Sequence, residues 1–524
     1  MSNSLAVTPD SSIRLLKCPL KLDNSNQLTF ASVTAQTTYF QSLSYLYDNN
    51  MQYIRKDNVI RIGTTSSGQY QLTYEDILQY NYVMYQNTHY DTKWFYAYIT
   101  DIKYINDGCT EVSIQTDYFQ TWQFDIVLKN TFIEREHVND DTIGAHTLPE
   151  NVELGEYYSN GYNYISDLDT YAYMVCATTN PTATQYNVST NLGGIPFVGN
   201  VYFEKSITDF ENLLQSYRNN NHEANIYAVY MIPAIACPET SSGQVTSFTD
   251  PMAFSYEYNK PTTLNGYTPK NNKVKTFPYM YLLVSNNNGQ SVALKWEHFT
   301  TTKAGFTLAL IPTIGGNYKL TPNSYEAGAH NEQYALMGGK FPTLSWSKDL
   351  FTNWLSSNGV NLGLGIGASA LQIIGGVGAI TSGAGSPLGV GMVASGLSGV
   401  ANSVGQIYQH SFDPKSSQGN VNGGDINVAG KRNGFYLYNM SIKYEYAKMI
   451  DDYFSAYGYK VNRIGTPHIH ARTYWDYLKT INCNLGGNIP NNDLKELCTM
   501  FDAGITFWHN STKFLDYTQT NAIL

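Results

Sequence analysis

The stretch Lys93-Trp-Phe-Tyr-Ala-Tyr-Ile-Thr-Asp-Ile-Lys-Tyr-Ile-Asn-Asp-Gly-Cys-Thr-Glu-Val-Ser-Ile-Gln-Thr-Asp-Tyr118 decides the fold class. From Lys93 to Ile105 apolar and polar residues alternate, which puts Tyr96, Tyr98, Ile102 and Tyr104 on or near one face of a strand. Asn106-Asp-Gly108 is a tight hairpin turn, because such turns need residues that tolerate positive φ. The return strand, Thr110–Tyr118, brings Val112, Ile114, Thr116 and Tyr118 to one face. A lone hairpin is marginal in water, so this one implies further strands around it.

Composition points the same way. The chain has 524 residues, long enough for several domains, and 42% of them are hydrophobic. Only 14% are charged, whereas Tyr numbers 44, and aromatic, hydroxyl-rich chains favour strands. Net charge is −10, which argues against a nucleic-acid-binding protein and is compatible with a channel that DNA slides through without sticking. Cys18, Cys109, Cys176, Cys237, Cys483 and Cys498 are scattered and resemble neither a disulfide framework nor a zinc site. Met1-Ser-Asn-Ser-Leu-Ala-Val7 has no basic-then-apolar pattern, so folding in a reducing cytoplasm is expected.

Outward from the hairpin, Ile13–Lys21, Val59–Gly63, Thr170–Thr178, Ile226–Ile232, Phe306–Leu310 and Phe435–Tyr446 read as strands. Ser206–Arg218 reads as an amphipathic helix carrying Phe210, Leu213, Leu214 and Tyr217. Tyr446–Tyr457 reads as a helix stopped by Gly458, and Asp493–Ala503 as one started by Asn492 or Asp493 and stopped by Gly504.

Between Asp349 and Asp413 there is no Lys, Arg, Asp or Glu. Two apolar runs lie there, Gly359–Ile380 and Leu388–Tyr408, joined by Thr381–Pro387 and followed by a Gly/Asn/Ser linker, Asp413–Gly434. Each run is about the length a helix needs to cross a bilayer core, roughly 20 residues. The bulky residues are Leu362, Leu364, Ile366, Leu371, Ile373, Ile374, Val377 and Ile380 in the first run. In the second they are Leu388, Val390, Met392, Val393, Leu397, Val400 and Val404. Gly375, Ala379 and Gly383, and Gly391, Ser395, Gly399 and Ser403, recur every four residues, a helix-packing stripe in a helical hairpin. Three readings stay open: a buried core hairpin, a constitutive transmembrane hairpin, and a segment that enters membrane conditionally. Asn361, Gln372, Asn402 and Gln406, and the missing basic flanks, argue against the second.

No motif for a phosphate loop, zinc protease or nucleophile elbow occurs, and no cofactor or metal is implied. Glu134, Glu136, Asp140 and Asp141 with Arg135 and His137 read either as a paired acid/base site or as a charged loop in which Arg135 pairs with neighbouring carboxylates, between subunits if the chain assembles. The second reading is favoured. His468-Ile-His470 would place two imidazoles on one side of a strand, with no third metal ligand in view.

Several blocks share an order along the chain. They are Gln120-Thr-Trp-Gln-Phe-Asp125, Phe132-Ile-Glu-Arg-Glu-His-Val138, Thr147-Leu-Pro-Glu150 and Leu154-Gly-Glu156. Ile311-Pro-Thr-Ile-Gly-Gly-Asn-Tyr-Lys-Leu320 and Phe341-Pro-Thr-Leu-Ser-Trp346 follow, then Tyr446-Ala-Lys-Met-Ile-Asp-Asp-Tyr-Phe454, Tyr477-Leu-Lys-Thr-Ile-Asn482 and Phe501-Asp-Ala-Gly-Ile-Thr-Phe-Trp-His509. In that order they resemble the tail-knob, or distal-tube, proteins of phi29-like short-tailed bacteriophages. The resemblance covers about half of the chain, and between Trp354 and Tyr446 it rests on position and character alone.

The resemblance implies a mainly β protein with minor α (α+β), with tail-tube-like β domains in a hexameric ring and an inserted apolar hairpin or loop. It implies no enzyme and no cofactor. The role implied is structural, at the virion's tail tip: a tube for DNA ejection, whose apolar loop plugs the bore and later inserts into the host membrane. The implied partners are five further copies of the chain, other tail proteins (lower collar or proximal tube, and tail-tip proteins), membrane lipid, and genomic DNA in transit. Residues 1–150 form the expected N-terminal tube domain, 151–345 a middle β-rich domain, 346–434 the loop with its linker, and 435–524 an α+β segment completing the tube. A toxin-like pore former that assembles on membranes is the alternative, and a cell-wall-degrading enzyme has no supporting motif.

Overall fold

The computed structural model describes residues 11–48, 52–54, 58–63, 73–87, 92–184, 190–192, 195–197, 199–222, 225–237, 243–245, 247–248, 252–286, 290–310, 317–323, 325, 343–345 and 434–524. Among the described residues strands dominate over helices, as expected of a mainly β chain with minor α. The chain divides into two compact units. One comprises Met1–Glu153, Pro269–Val274 and Glu445–Leu524; the other comprises Leu154–Thr268 and Lys275–Tyr444.

In the first unit the hairpin Phe95–Asn106/Cys109–Thr116 lies at the centre of a seven-stranded antiparallel sheet. The order is Tyr45–Asp48, Ser11–Leu16, Tyr82–Asn87, Phe95–Asn106, Cys109–Thr116, Val59–Gly63 and Gln52–Ile54. The Asn106 side chain accepts from the Gly108 N–H at 2.9 Å, which closes the turn. One expectation fails inside the hairpin. The register shifts between Ile99 and Asp101, so Thr100 is an extra residue in its strand. That bulge reverses the alternation. Tyr96 and Tyr98 face one core, with Tyr82, Met84, Phe40, Trp475 and Trp508. Ile102 joins the opposite core, with Ala97, Ile99, Val112 and Ile114. Tyr104 lies largely in solvent.

The unit's second sheet has the order Asn26–Leu28, Ile505–Trp508, Trp475–Ile481, Thr131–Glu136 and Tyr459–Gly465. It is antiparallel except for the first pair. Helix Asn491–Ala503 packs Leu497, Met500 and Phe501 against Ile133, Leu478 and Phe507 of this sheet. Pro490 starts that helix without a side-chain cap, so neither Asn492 nor Asp493 serves as its cap. Asp493 instead accepts from the Trp122 indole at 3.0 Å. Its end at Gly504 is as expected, where φ is +96° and a Cβ would sit 2.2 Å from the Tyr477 hydroxyl.

Among the described residues the second unit holds three four-stranded sheets and a small three-stranded one. Helix Ile207–Asn219 is capped by Ser206, which accepts from the Asp209 N–H at 3.1 Å. It lays Phe210, Leu213, Leu214 and Tyr217 on Tyr173, Val175 and Tyr202. Among the described residues no helix is long and apolar enough to cross a membrane.

Candidate functional site

All the sequence-named membrane-facing and helix-packing residues, Leu362 to Val404, lie outside the described residues, as does the whole of 346–433. What the structure describes is how the chain enters and leaves this span. On the N-terminal side, Thr343–Ser345 pairs with Asn317–Asn323 at the edge of a sheet that continues to Lys303–Leu310 and Met252–Asn259. On the C-terminal side, Tyr436–Ile442 is an inner strand, bonded to Tyr157–Tyr164 on one flank and Met280–Ser285 on the other. The two ends therefore root in different sheets of one unit.

The second root is tightly packed. Phe435 and Leu437 are fully buried, and the Phe435 carbonyl accepts from the Ile165 N–H at 3.1 Å. Gly434 lies so close to its neighbours that a Cβ would come 2.4 Å from the Ile165 carbonyl oxygen and 2.5 Å from the Tyr164 ring. Only glycine fits there. The face carrying Tyr436 and Tyr438 also carries Tyr162 and Tyr164, with ring centroids 4.5–5.9 Å apart among neighbours.

The charged stretch 134–141 is not a loop at its start. Glu134, Arg135 and Glu136 lie on strand Thr131–Glu136. The register shifts between Ile133 and Arg135 against both neighbouring strands, so Glu134 sits at a bulge, and each of the three charges finds a partner inside the chain. Glu134 pairs with Lys479 at 2.9 Å and Glu136 with Arg463 at 2.6 Å. Arg135 pairs with Glu150, donates to the Gly458 carbonyl at 2.7 Å, and stacks over Tyr453. Lys273 reaches the other Glu150 oxygen at 2.5 Å. Asp141 accepts from Tyr459 and from the Asn272 N–H. Burial lowers the Lys273 ammonium, and the Glu150 charge acts against that shift.

Sequence reasoning missed the partners of this cluster. Asp451, fully buried on helix Tyr444–Tyr457, accepts the backbone N–H groups of Lys270 and Asn271 at 2.7 and 2.9 Å. With Asn272 and Lys273 it fixes four successive residues of the six-residue segment Pro269–Val274. One signal was visible: Asp451 interrupts the apolar stripe Ala447, Ile450, Phe454. Lys270-Asn-Asn-Lys273 itself reads as an ordinary polar loop.

His468-Ile-His470 lies in the loop after strand Tyr459–Gly465, not on a strand, so the two-imidazole face does not form. The His470 ring stacks on His509 with centroids 4.4 Å apart. His509 Nε2 meets the buried Asp476 carboxylate at 2.8 Å, and its Nδ1 meets the Thr29 hydroxyl at 2.7 Å. Among the described residues no group of three side chains is placed to hold a metal ion.

The family described as "Bacillus phage phi29, Tail knob protein gp9, C-terminal domain" matches residues 244–522, and "Caudoviral major tail protein N-terminus" matches 9–129. The chain is 25% identical to the tail knob protein gp9 of Bacillus phage phi29, over 95% of this chain and 96% of that protein. To its counterpart in Bacillus phage B103 it is 24% identical, over 86% and 88%. The solved structure of the bacteriophage C1 tail knob protein, gp12, superposes with a TM-score of 0.65 at 14% identity, covering 98% of this chain and all of that one. The fold is thus that of a phage tail knob, and the chain belongs to the phi29 tail-knob family, a structural component of a short-tailed phage virion.

Proposed function

We propose that six copies form a tube at the tail tip, that the uncharged span Leu350–Phe412 plugs it, and that the same span enters the host membrane to open a path for DNA. One observation carries the reading. A stretch without a single permanent charge is strung between an edge strand of one sheet and a tightly packed inner strand of another. Ordered roots with an uncharged, Gly-rich span between them suit a segment that changes partners while its ends stay fixed. The low basic content suits a bore through which duplex passes without being held at each phosphate. Neighbouring tail proteins bind the knob end to end with the tail, and membrane lipid meets only the span.

Electron microscopy of the purified protein, with and without liposomes, tests this. Rings or tubes without lipid are expected, together with liposome leakage. Deleting Gly359–Tyr408 is expected to leave an open, folded, inactive ring. Monomers that oligomerise only on liposomes would favour a toxin-like pore former, and a deletion that unfolds the chain would make the span ordinary core.

A further inference from the structure

The sheet that takes in the C-terminal end of the uncharged span has two unlike faces. Its order is Tyr157–Tyr164, Tyr436–Ile442, Met280–Ser285 and Ser291–Leu294. On one face Leu437, Leu282 and Val284 are buried. On the other, residues directly opposite one another form rows. Tyr164, Tyr436 and Ser285 make one row, and Tyr162, Tyr438 and Leu283 make the next. Neither row holds a charged residue. Tyr162 is 59% exposed, and its ring lies 5.6 Å from those of Tyr436 and Tyr438, centroid to centroid. Leu283 is half-buried. The solvent face of an antiparallel sheet is commonly polar, and an exposed apolar patch marks a binding surface.

Position, charge and reach identify the occupant. The chain joins the sheet at Gly434, packed against the Tyr164 ring, so the span ends at a corner of this face. Between Asp349 and Asp413 there is no charge, and the two rows carry none, so a contact between them strands no buried ion. The linker 413–434 can stretch at most about 75 Å, whereas four strands lie only roughly 15 Å across. We infer that this tyrosine face is the docking surface of residues 350–412 of the same chain before they meet a membrane. The inference rests on the reading of that span as a segment that changes partners. Tyrosine rings offer broad apolar area while their hydroxyls stay hydrated at the rim. Glycines in the span let its backbone approach those rings closely. Release then breaks no ion pair, and lipid replaces the tyrosine face as the apolar partner.

The test replaces Tyr162 in the full-length protein with the photo-crosslinking residue p-benzoylphenylalanine, whose larger ring the exposure of this position accommodates. Irradiation and peptide mapping are expected to give links from position 162 to residues 350–412 of the same chain. Links only to other residues, links between two chains, or no link at all overturn the proposal. A second variant, Leu283→Glu, puts a charge into the row. Chymotrypsin is expected to cut within residues 350–412 about tenfold faster in this variant than in the unmutated protein, because a charge under the span favours the undocked state. Equal cutting rates overturn the proposal, and the crosslink decides the matter even where Leu283→Glu folds poorly. Liposome leakage separates this inference from the reading beneath it. Links to 350–412 without leakage leave the docking surface standing and sink the membrane reading; leakage without links does the reverse.

Discussion

Around Glu150 the protein buries three charges, with Arg135 and Lys273 each bonded to the one carboxylate; between Asp349 and Asp413 it carries none. Burying an ion costs several kcal/mol unless partners and hydrogen bonds compensate, so a buried charge fixes its surroundings in one arrangement. The Glu150 side chain is 0% exposed, Lys273 2% and Arg135 11%, and the cluster pins a short excursion of the chain back into the first unit. A span meant to exchange protein neighbours for lipid has the opposite need, because any charge fixed there penalises one of its two environments. Charge thus separates the part of the chain that must keep its partners from the part proposed to change them.

The largest expected effect comes from breaking the charged side of this comparison. Glu150→Gln keeps the shape and leaves Arg135 and Lys273 buried without their counter-charge. Removing one partner of such a cluster costs about 3–5 kcal/mol. Urea unfolding followed by tryptophan fluorescence reports on this unit, since Trp475 and Trp508 lie in its core. A loss below 1 kcal/mol would show that the cluster is solvated and holds nothing.

The next effect comes from adding charge to the uncharged side. Ile374→Asp or Val393→Asp places a carboxylate near the middle of an apolar run, at about 2.5–3.5 kcal/mol per helix on insertion scales. Repeated in the six copies proposed, that should abolish liposome leakage and infection while rings still assemble. Leakage at the wild-type rate would mean that another part of the chain enters the bilayer.

The sequence-level reading succeeded where a rule is local. The Asn106-Asp-Gly108 turn, the amphipathic helix beginning near Ser206 and the stops at Gly458 and Gly504 depend on residues within a few positions, and each stands where it was expected. It failed where a distant element decides. The extra residue at Thr100 sends Ile102 to the opposite core, and no residue type there marks the bulge. Arg135 was expected to pair with the carboxylates beside it, Glu134, Glu136, Asp140 and Asp141, and it pairs instead with Glu150. The strand beneath it and the second cation, Lys273, come from pairings more than a hundred residues away in sequence. For the apolar span the sequence shows chemical character, the absence of charge and the stripes of small residues, and the described strands add only its two roots.

A neutral group sharpens the comparison at its smallest scale. His137 follows Glu136 and is buried beside the same charges. Its Nδ1 accepts the Tyr477 N–H at 2.7 Å, and its Nε2 lies 3.1 Å from the Ser455 carbonyl. That arrangement suits a neutral ring protonated on Nε2. Burial is the main reason the imidazole is pushed down to about 4; the Arg472 and Arg135 charges lower it further, and the Asp476 charge and the Ser455 carbonyl raise it. In the unfolded chain its value is near 6.5. Between about pH 6.5 and 4 the unfolded state therefore binds the extra proton, and stability falls as pH falls through that window. From pH 7 to pH 5 the loss is about 2 kcal/mol for this one group. Burial also lowers His146 and His470, so the whole chain loses more than this single share. The share of His137 is isolated by His137→Asn, whose amide can accept from Tyr477 and donate to Ser455 without titrating. The variant's stability, measured by urea unfolding at pH 7, 6 and 5, should decline less steeply than that of the unmutated protein, by about one proton per molecule near pH 5. Parallel declines in the two proteins would mean that His137 takes up its proton in the folded state as easily as in water, and that the region around Glu150 tolerates a further charge.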